Sequence, residues 1–357
     1  MTTRLTLFGA GKIGEAIIHL LGRSGDYQLR VVDADAQRLA SMKDSGTECI
    51  AADIRIAGEL ARLVKGQDVV VSACPFYLTP AIAGAAREHG AHYLDLTEDV
   101  QSTREVMALA QGAKSALIPQ CGLAPGFISI VAHDLAKRFD RLRDVYMRVG
   151  ALPTFPNNAL KYNLTWSTDG LINEYCNPCL AIRDGAAIET LPLEEVESFS
   201  LDGVDYEAFN TSGGLGTLSE TLKGRVENLN YKTVRYPGHR DIVKTLVRDL
   251  RLDRRRDLLK DVLEAAIPMT KQDVVLVYVS VTGEREGRLQ QEVFVKKIYA
   301  QEIDGRLFSA IQVTTAAGIC AMVDLLIAGK LPQSGFVRQE QASLTDFLAN
   351  RFGAYYA

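Results

Sequence analysis

At 357 residues, with 47% hydrophobic and 24% charged positions, the chain is longer than one compact core usually holds and has the composition of an ordinary globular protein. A net charge of −4, with acids and bases mixed along the chain, excludes the basic blocks that mark nucleic-acid or anionic-membrane binding. Six scattered cysteines exclude a secreted disulfide framework. Met1 to Arg4 runs straight into an apolar strand pattern with no leader signature, so a reducing cytoplasm is the expected setting.

The first third alternates strand and helix patterns. Arg4–Phe8 is a β-rich run, followed by Gly9 to Gly14 and a helical pattern through Ile17, Ile18, Leu20 and Leu21. Gln28–Val32 is the next strand and ends on Asp33. Ala36–Ser45 reads as a helix, Glu48–Ala51 as a weak strand before Asp53, and Ile56–Lys65 as a helix. Asp68–Ser72, His92–Leu94 and Ser115–Ile118 read as strands, separated by helices over Thr79–His89 and Asp99–Gln111. This spacing implies right-handed βαβ units around a parallel sheet.

Pro125 sits where a first-turn proline opens a helix over Gly126–Arg138. Beyond it the pattern changes. Arg141–Val149 is a strand and Asn157–Tyr175 is mostly helical. Asp184-Gly185 is a hairpin turn, and charged helices fall over Arg240–Leu250 and Asp257–Ala266. Two long β runs, Asp273–Thr282 and Gln290–Ala300, turn at Gly283. Hairpins with interspersed helices predict an α+β domain on a mostly antiparallel sheet. Val313–Ala328 is too apolar for a surface helix. Ala316–Gly329, the longest apolar stretch, is broken by Asp324 and too short for a membrane span, so this segment is expected to be buried and to return to the first domain. Cys176 and Cys179 have the spacing of half a zinc or redox site, but no second pair accompanies them and no metal is expected.

Gly9-Ala10-Gly11-Lys12-Ile13-Gly14 fits G-x-G-x-x-G, with a strand before it, an amphipathic helix after it and an acid ending the next strand. The glycines permit a tight turn, close approach of a pyrophosphate and close packing of the helix, whose N-terminus attracts the phosphates. Asp33 follows Gly14 by 19 residues. Its carboxylate suits ribose hydroxyls and repels a 2′-phosphate, which favours NAD over NADP, although Arg38 is close enough in sequence to reach that pocket. Asp53 and Ile54 either flank the adenine or cap the next helix. Cys74 and Pro75, with Phe76 and Tyr77, follow the fourth strand and either shape the nicotinamide pocket or form a rigid connector.

Several segments carry a resemblance. Gly9–Gly14, Ser72–Tyr77, Tyr93–Glu98 and Gly122–Gly126 resemble the saccharopine dehydrogenase-like family. Asn157-Asn158 through Thr165-Trp166-Ser167, Thr211–Thr217 and Lys232–His239 are most similar to the bacterial L-lysine 6-dehydrogenases. The resemblance implies a doubly wound Rossmann domain (1–122 plus 313–357) with an inserted, mostly antiparallel α+β domain (123–312), and association as a homodimer or homotetramer through that inserted sheet. The implied reaction is NAD-dependent oxidative deamination of the ε-amine of L-lysine to a semialdehyde that cyclises. Reduction of a secondary amine of the saccharopine or carboxynorspermidine type, and non-catalytic NAD binding, are the competing readings.

Amine oxidation needs a neutral amine, a proton acceptor and close contact with the hydride acceptor. An amino-acid substrate adds a carboxylate and an ammonium that need opposite partners. Asp95, at the end of the fifth strand, is the first choice for the polar group near the nicotinamide, with Thr97 and Glu98 after it; a helix cap is its alternative. His239 suits proton transfer near neutrality or opens a helix. Tyr236 is a donor to substrate or a packed aromatic. Thr211 and Ser212 fit a carboxylate or make a plain turn, and Arg225 and Arg235 are candidate clamps. Tyr162, Trp166 and Tyr175 line a sleeve for substrate methylenes or form a core face. Tyr77 and Thr97 complete the expected substrate contacts.

Overall fold

The computed structural model describes residues 2–40, 42 and 47–357. The chain divides into two compact units: residues up to Phe127 together with Thr314–Ala357, and Ile128–Val313.

The first unit alternates β1 (Thr3–Phe8), α1 (Lys12–Ser24), β2 (Tyr27–Asp33), α2 (Ala36–Ala40), β3 (Glu48–Ala51), α3 (Glu59–Val64), β4 (Val69–Ser72), α4 (Thr79–Glu88), β5 (His92–Asp95), α5 (Val100–Leu109) and β6 (Ala116–Ile118). The two-residue strand Gly335–Phe336 pairs with β6. All seven strands are parallel, in the order Gly335–Phe336, β6, β5, β4, β1, β2, β3. β4 is buried along its whole length, as a strand covered on both faces must be. Strand order reverses between β1 and β4, and ligands of such sheets bind beyond the carboxyl ends at that point. Gly9, Asp33, Ala73 and Asp95 all lie at those ends. The C-terminal segment is pinned within this unit by Arg351, which bridges Asp26 (2.6 Å) and Asp324 (2.8 Å). The apolar helix Ala310–Ile327 is mostly buried, and its residues from Thr314 onward belong to this unit.

In the second unit, α6 (Phe127–Ala136, counted here from Ile128) precedes β7 (Arg141–Pro153) and α7 (Thr168–Cys176). There follow β8 (Cys179–Arg183), β9 (Ala186–Thr190), β10 (Glu197–Leu201), β11 (Val204–Asn210), β12 (Val226–Arg235), β13 (Asp273–Arg285) and β14 (Arg288–Tyr299). The sheet runs β10-β11-β12-β7-β13-β14, with β8 and β9 branching from β12. Only the β12–β7 pair is parallel. The Asp184-Gly185 turn forms as the sequence implies, with both residues at positive φ.

Several boundaries differ from the sequence reading. The segment expected to be helical over Asn157–Tyr175 is irregular as far as Ser167, because Asn158 spends its amide on the backbone of Tyr162. The helix starts only where the Ser167 hydroxyl accepts from the Gly170 N–H. The Ile56 helix begins at Glu59, after Gly58 at positive φ. Asp53 therefore caps no helix; it pairs with Arg55 at 2.8 Å. Pro125 lies outside α6, in a turn bridged between Gly122 and Gly126. β13 runs through Gly283 with a register shift, and Glu286-Gly287, both at positive φ, make the turn. Ala36–Ala40 is helical as expected; 41 and 43–45 of that expected helix lie outside the described residues.

Within the Gly-Gly-Leu-Gly loop, a Cβ on Gly214 would stand 2.2 Å from the buried Tyr231 ring. Gly214→Ala should therefore lower the unfolding free energy by about 1–3 kcal/mol in urea denaturation. An unchanged midpoint would show that this ring has room to move.

Candidate functional site

In the first unit, Gly9 takes φ +95° and its N–H bonds the Val32 carbonyl, so the chain turns sharply out of β1. A Cβ on Gly14 would lie 2.0 Å from the Gly9 carbonyl oxygen, whereas around Gly11 nothing comes within 4 Å. The space a pyrophosphate needs is thus open over Gly11. No side chain caps the start of α1, so the helix N-terminus, with Lys12, Ile13 and Gly14 in its first turn, is available to an anion. These features fit a dinucleotide.

Asp33 has two tasks. Its Oδ2 accepts from the Ala10 N–H at 2.7 Å and its Oδ1 from the Asp35 N–H at 2.8 Å, which ties the end of β2 to the glycine loop. Arg38 Nη1 lies 3.4 Å from Oδ2. The carboxylate has spare lone pairs where a ribose would sit. Ile54 and Cys74 pack against the core cluster beneath this edge. Burial, aided by the Asp33 charge, pushes the Cys74 thiol up to about 12, so it is no nucleophile. Pro75 opens a short turn that carries Tyr77, whose side chain is exposed.

Asp95 ends β5 almost fully buried. Its Oδ1 accepts from the backbone N–H groups of Thr97 (2.9 Å) and Gln120 (3.0 Å), while Oδ2 meets no hydrogen-bond donor in bonding geometry among the described residues. Burial pushes its pKa up to about 6, against the lowering effect of those two bonds and of the nearby Tyr93 hydroxyl. The capping role falls to Asp99, whose carboxylate accepts from the Ser102 N–H. Thr97 fixes this bend, its hydroxyl accepting from the Asp99 N–H. Gln120, held at φ +69° and bonded to Thr103, was invisible to sequence reasoning because only the fold brings it to Asp95.

In the second unit, α7 and β12 bring together Glu174, Tyr175, Arg235, Tyr162 and His239. Arg235 is 2% exposed. Its Nε donates to the Tyr175 hydroxyl (3.1 Å), and its Nη1 to Thr233 Oγ1 and the Val234 carbonyl (both 2.8 Å). The Tyr162 ring lies 4.9 Å from the guanidinium carbon. Burial works against this charge, but Tyr175, Tyr162 and Glu174 outweigh it and hold the guanidinium above its ordinary pKa. Register places Arg235 opposite Glu207 and Thr233 opposite Phe209, with Thr211 next on the same sheet face. The hydroxyls of Tyr162 and Thr211 are buried without partners. Ser212 is spent locally, on Pro178 and the Glu174 backbone.

Three expectations change here. His239 is 1% exposed, with Nδ1 2.8 Å from the Leu160 carbonyl and Nε2 3.0 Å from the Tyr175 hydroxyl. Burial and the Arg235 charge drive its pKa down to about 3, so the imidazole stays neutral near pH 7 and takes up no second proton there, unlike the proton carrier expected. Arg225 stands exposed just before the ten-residue strand β12, at the opposite end from Arg235, so of the two candidate clamps Arg235 is the buried one. Tyr236 donates to the Pro153 carbonyl at 2.9 Å and stacks on Tyr206 as a packed aromatic. Glu174 was missed; a charged residue between buried neighbours of α7 was its only signal.

Two family descriptions match this chain: the saccharopine dehydrogenase NADP binding domain over residues 5–118 and the saccharopine dehydrogenase C-terminal domain over residues 122–352. Saccharopine dehydrogenase [NADP(+), L-glutamate-forming] of Saccharomyces cerevisiae is 25% identical over 263 residues, 69% of this chain and 58% of the yeast protein. The mitochondrial alpha-aminoadipic semialdehyde synthase of Bos taurus is 20% identical over 83% of this chain, which spans 33% of that protein. The apo structure of the yeast saccharopine dehydrogenase superposes with a TM-score of 0.77 at 17% identity, covering 95% of this chain and 94% of the other.

If Asp95 takes a proton during turnover, it must be ionised first, so kcat/KM should rise with pH through an inflection near 6. Asp95→Asn should remove that limb and lower kcat/KM by about 10²–10⁴. Folding raises the Asp95 pKa, so the folded state binds the extra proton and wild-type stability should fall as pH rises from about 4 to 6. A pH profile identical in the Asn variant would assign the limb to another group.

Proposed function

This chain belongs to the saccharopine dehydrogenase family, and from that premise we propose that it is an NAD-dependent L-lysine 6-dehydrogenase, releasing ammonia and a 2-aminoadipate semialdehyde that cyclises. The observation that carries the substrate assignment is the buried guanidinium of Arg235, with Nη2 uncommitted, under the influence of the buried Glu174 charge. One buried cation with one buried anion suits the α-carboxylate and α-ammonium of a single amino acid. The other buried cations described in this unit, Arg148 and Lys232, share Glu197 as their ion-pair partner. A substrate with additional carboxylates calls for further arginines.

NAD, when bound, supplies the hydride acceptor. Every other task falls to the chain. The α1 N-terminus and Gly11 take the pyrophosphate, and Asp33 takes the ribose hydroxyls. Asp95 Oδ2, unpartnered and ionised above about pH 6, accepts the amine proton. In the second unit, taken by itself, Arg235 offers an anchor for the carboxylate, Glu174 a counter-charge for the ammonium, and the Tyr162 and Thr211 hydroxyls further polar contacts. NAD is preferred to NADP because the Asp33 charge opposes a 2′-phosphate, while Arg38, paired to Asp33, is the route to residual NADP use. The open edge strand β14, with Leu289, Val293, Val295 and Tyr299 exposed on one face, supports a homodimer or homotetramer. Native mass spectrometry should then find no dominant monomer.

NADH formation should be measured with L-lysine and with saccharopine. Turnover of lysine with none of saccharopine is expected; the reverse would overturn the proposal. Asp33→Asn should lower kcat/KM for NAD about tenfold and raise the NADP/NAD ratio, because the charge opposing a phosphate is gone. An unchanged ratio would remove Asp33 as the selector.

A further inference from the structure

The hydrogen bonds around His239 run in one direction. The Leu160 carbonyl can only accept, so the imidazole proton resides on Nδ1. Nε2 is then an acceptor and takes the Tyr175 hydroxyl proton. The Tyr175 oxygen keeps its lone pairs for the Arg235 Nε–H. Arg235 Nε, the Tyr175 hydroxyl and His239 Nδ1 each donate to the next acceptor, and the series ends on the Leu160 carbonyl. The rings are clamped as well: His239 stacks with Phe209 (centroids 6.3 Å, planes 11° apart) and meets Tyr162 edge-on at 5.3 Å. Thr233 and the Val234 carbonyl fix Nη1, which leaves Nη2 as the corner of the guanidinium without a hydrogen-bond partner among the described residues.

We propose that His239 and Tyr175 are positioning residues, which act through this one-way chain to hold the Arg235 guanidinium in a single orientation with Nη2 offered to the substrate carboxylate. This rests on Arg235 as the carboxylate anchor and adds what fixes its geometry. A neutral imidazole is required, because protonation of Nε2 would leave it facing a second donor and reverse the Tyr175 hydroxyl. The buried, weakly basic His239 meets that requirement across the neutral range. A guanidinium merely packed for stability would need no such chain; its Nε could end on any backbone carbonyl, as Nη1 does.

The test compares L-lysine with 1,5-diaminopentane, the same reacting amine without the carboxylate. Tyr175→Phe and His239→Phe keep the ring shapes and remove a link each. Both should raise KM for lysine about tenfold or more with kcat changed less than about threefold, and leave kcat/KM for the diamine unaltered. The double variant should be no worse than either single, since both break one chain. His239→Gln, which restores an acceptor for Tyr175, should recover part of the loss. Equal losses on both substrates, additive losses, or a fall in kcat with a shifted pH limb would overturn the proposal. Nitrogen-15 spectra of wild-type histidine and arginine give a readout independent of turnover. His239 should stay in the Nδ1–H form from about pH 5 to 8, and Tyr175→Phe should move the Arg235 Nε–H resonance. An Nε2–H or doubly protonated ring, or an unmoved Arg235 signal, would refute the chain. Absence of lysine turnover in the wild type would defeat the functional reading alone, and the spectra would still decide the positioning role.

Discussion

A guanidinium taken almost entirely out of water has to be met by acceptors and aromatic faces, or it destabilises the fold by several kcal/mol. Much of the second unit answers that demand for Arg235. Strand β12 delivers it from the sheet, and the Ser167 cap starts α7 in the phase that brings Tyr175 beneath it. The turn after β12 places His239 behind Tyr175, and Glu207 secures that turn by accepting from the Gly238 and Arg240 N–H groups. Leu160 lies in the irregular segment before α7, and its carbonyl ends the series. Elements far apart in sequence are thus held to one another through a single buried charge, and the satisfaction of that charge stops one donor short.

The first unit uses strand ends in a comparable way with the opposite sign. Asp33 and Asp95 both end parallel strands and both accept two backbone N–H groups, Asp33 through one on each oxygen and Asp95 through both on Oδ1. They differ in burial. Asp33 stays partly exposed beside Arg38 and serves as a hydrogen-bond acceptor and a charge. Asp95 is sealed, with one oxygen unpartnered, and its raised pKa makes it able to take up and lose a proton near neutrality. Two carboxylates of the same sheet edge are separated in function by what surrounds them.

The glycine loop, Asp33 and the parallel order of the first unit were legible because each rests on local spacing: a turn that only glycine fits, an acid at a fixed distance, strands buried on both faces. Asp95 was legible as a strand end, but Gln120 was not, since it reaches Asp95 only across the sheet. In the second unit the residue types were visible and their ranking was not. Arg225 and Arg235 bracket one strand, and nothing in their neighbours separates an exposed clamp from a buried one. His239 looked like a proton carrier because its residue type allows it; burial beside Arg235 reverses that choice. The helix drawn over Asn157–Tyr175 failed where Asn158 turned its amide on its own backbone, a competition that periodicity does not register.

The most direct test of this account is a crystal structure of the protein with NAD and L-lysine bound. A lysine α-carboxylate oxygen within about 3 Å of Arg235 Nη2, with the Tyr175 and His239 bonds intact, is the predicted result. A carboxylate held elsewhere, with Arg235 Nη2 facing only protein or water, would contradict it.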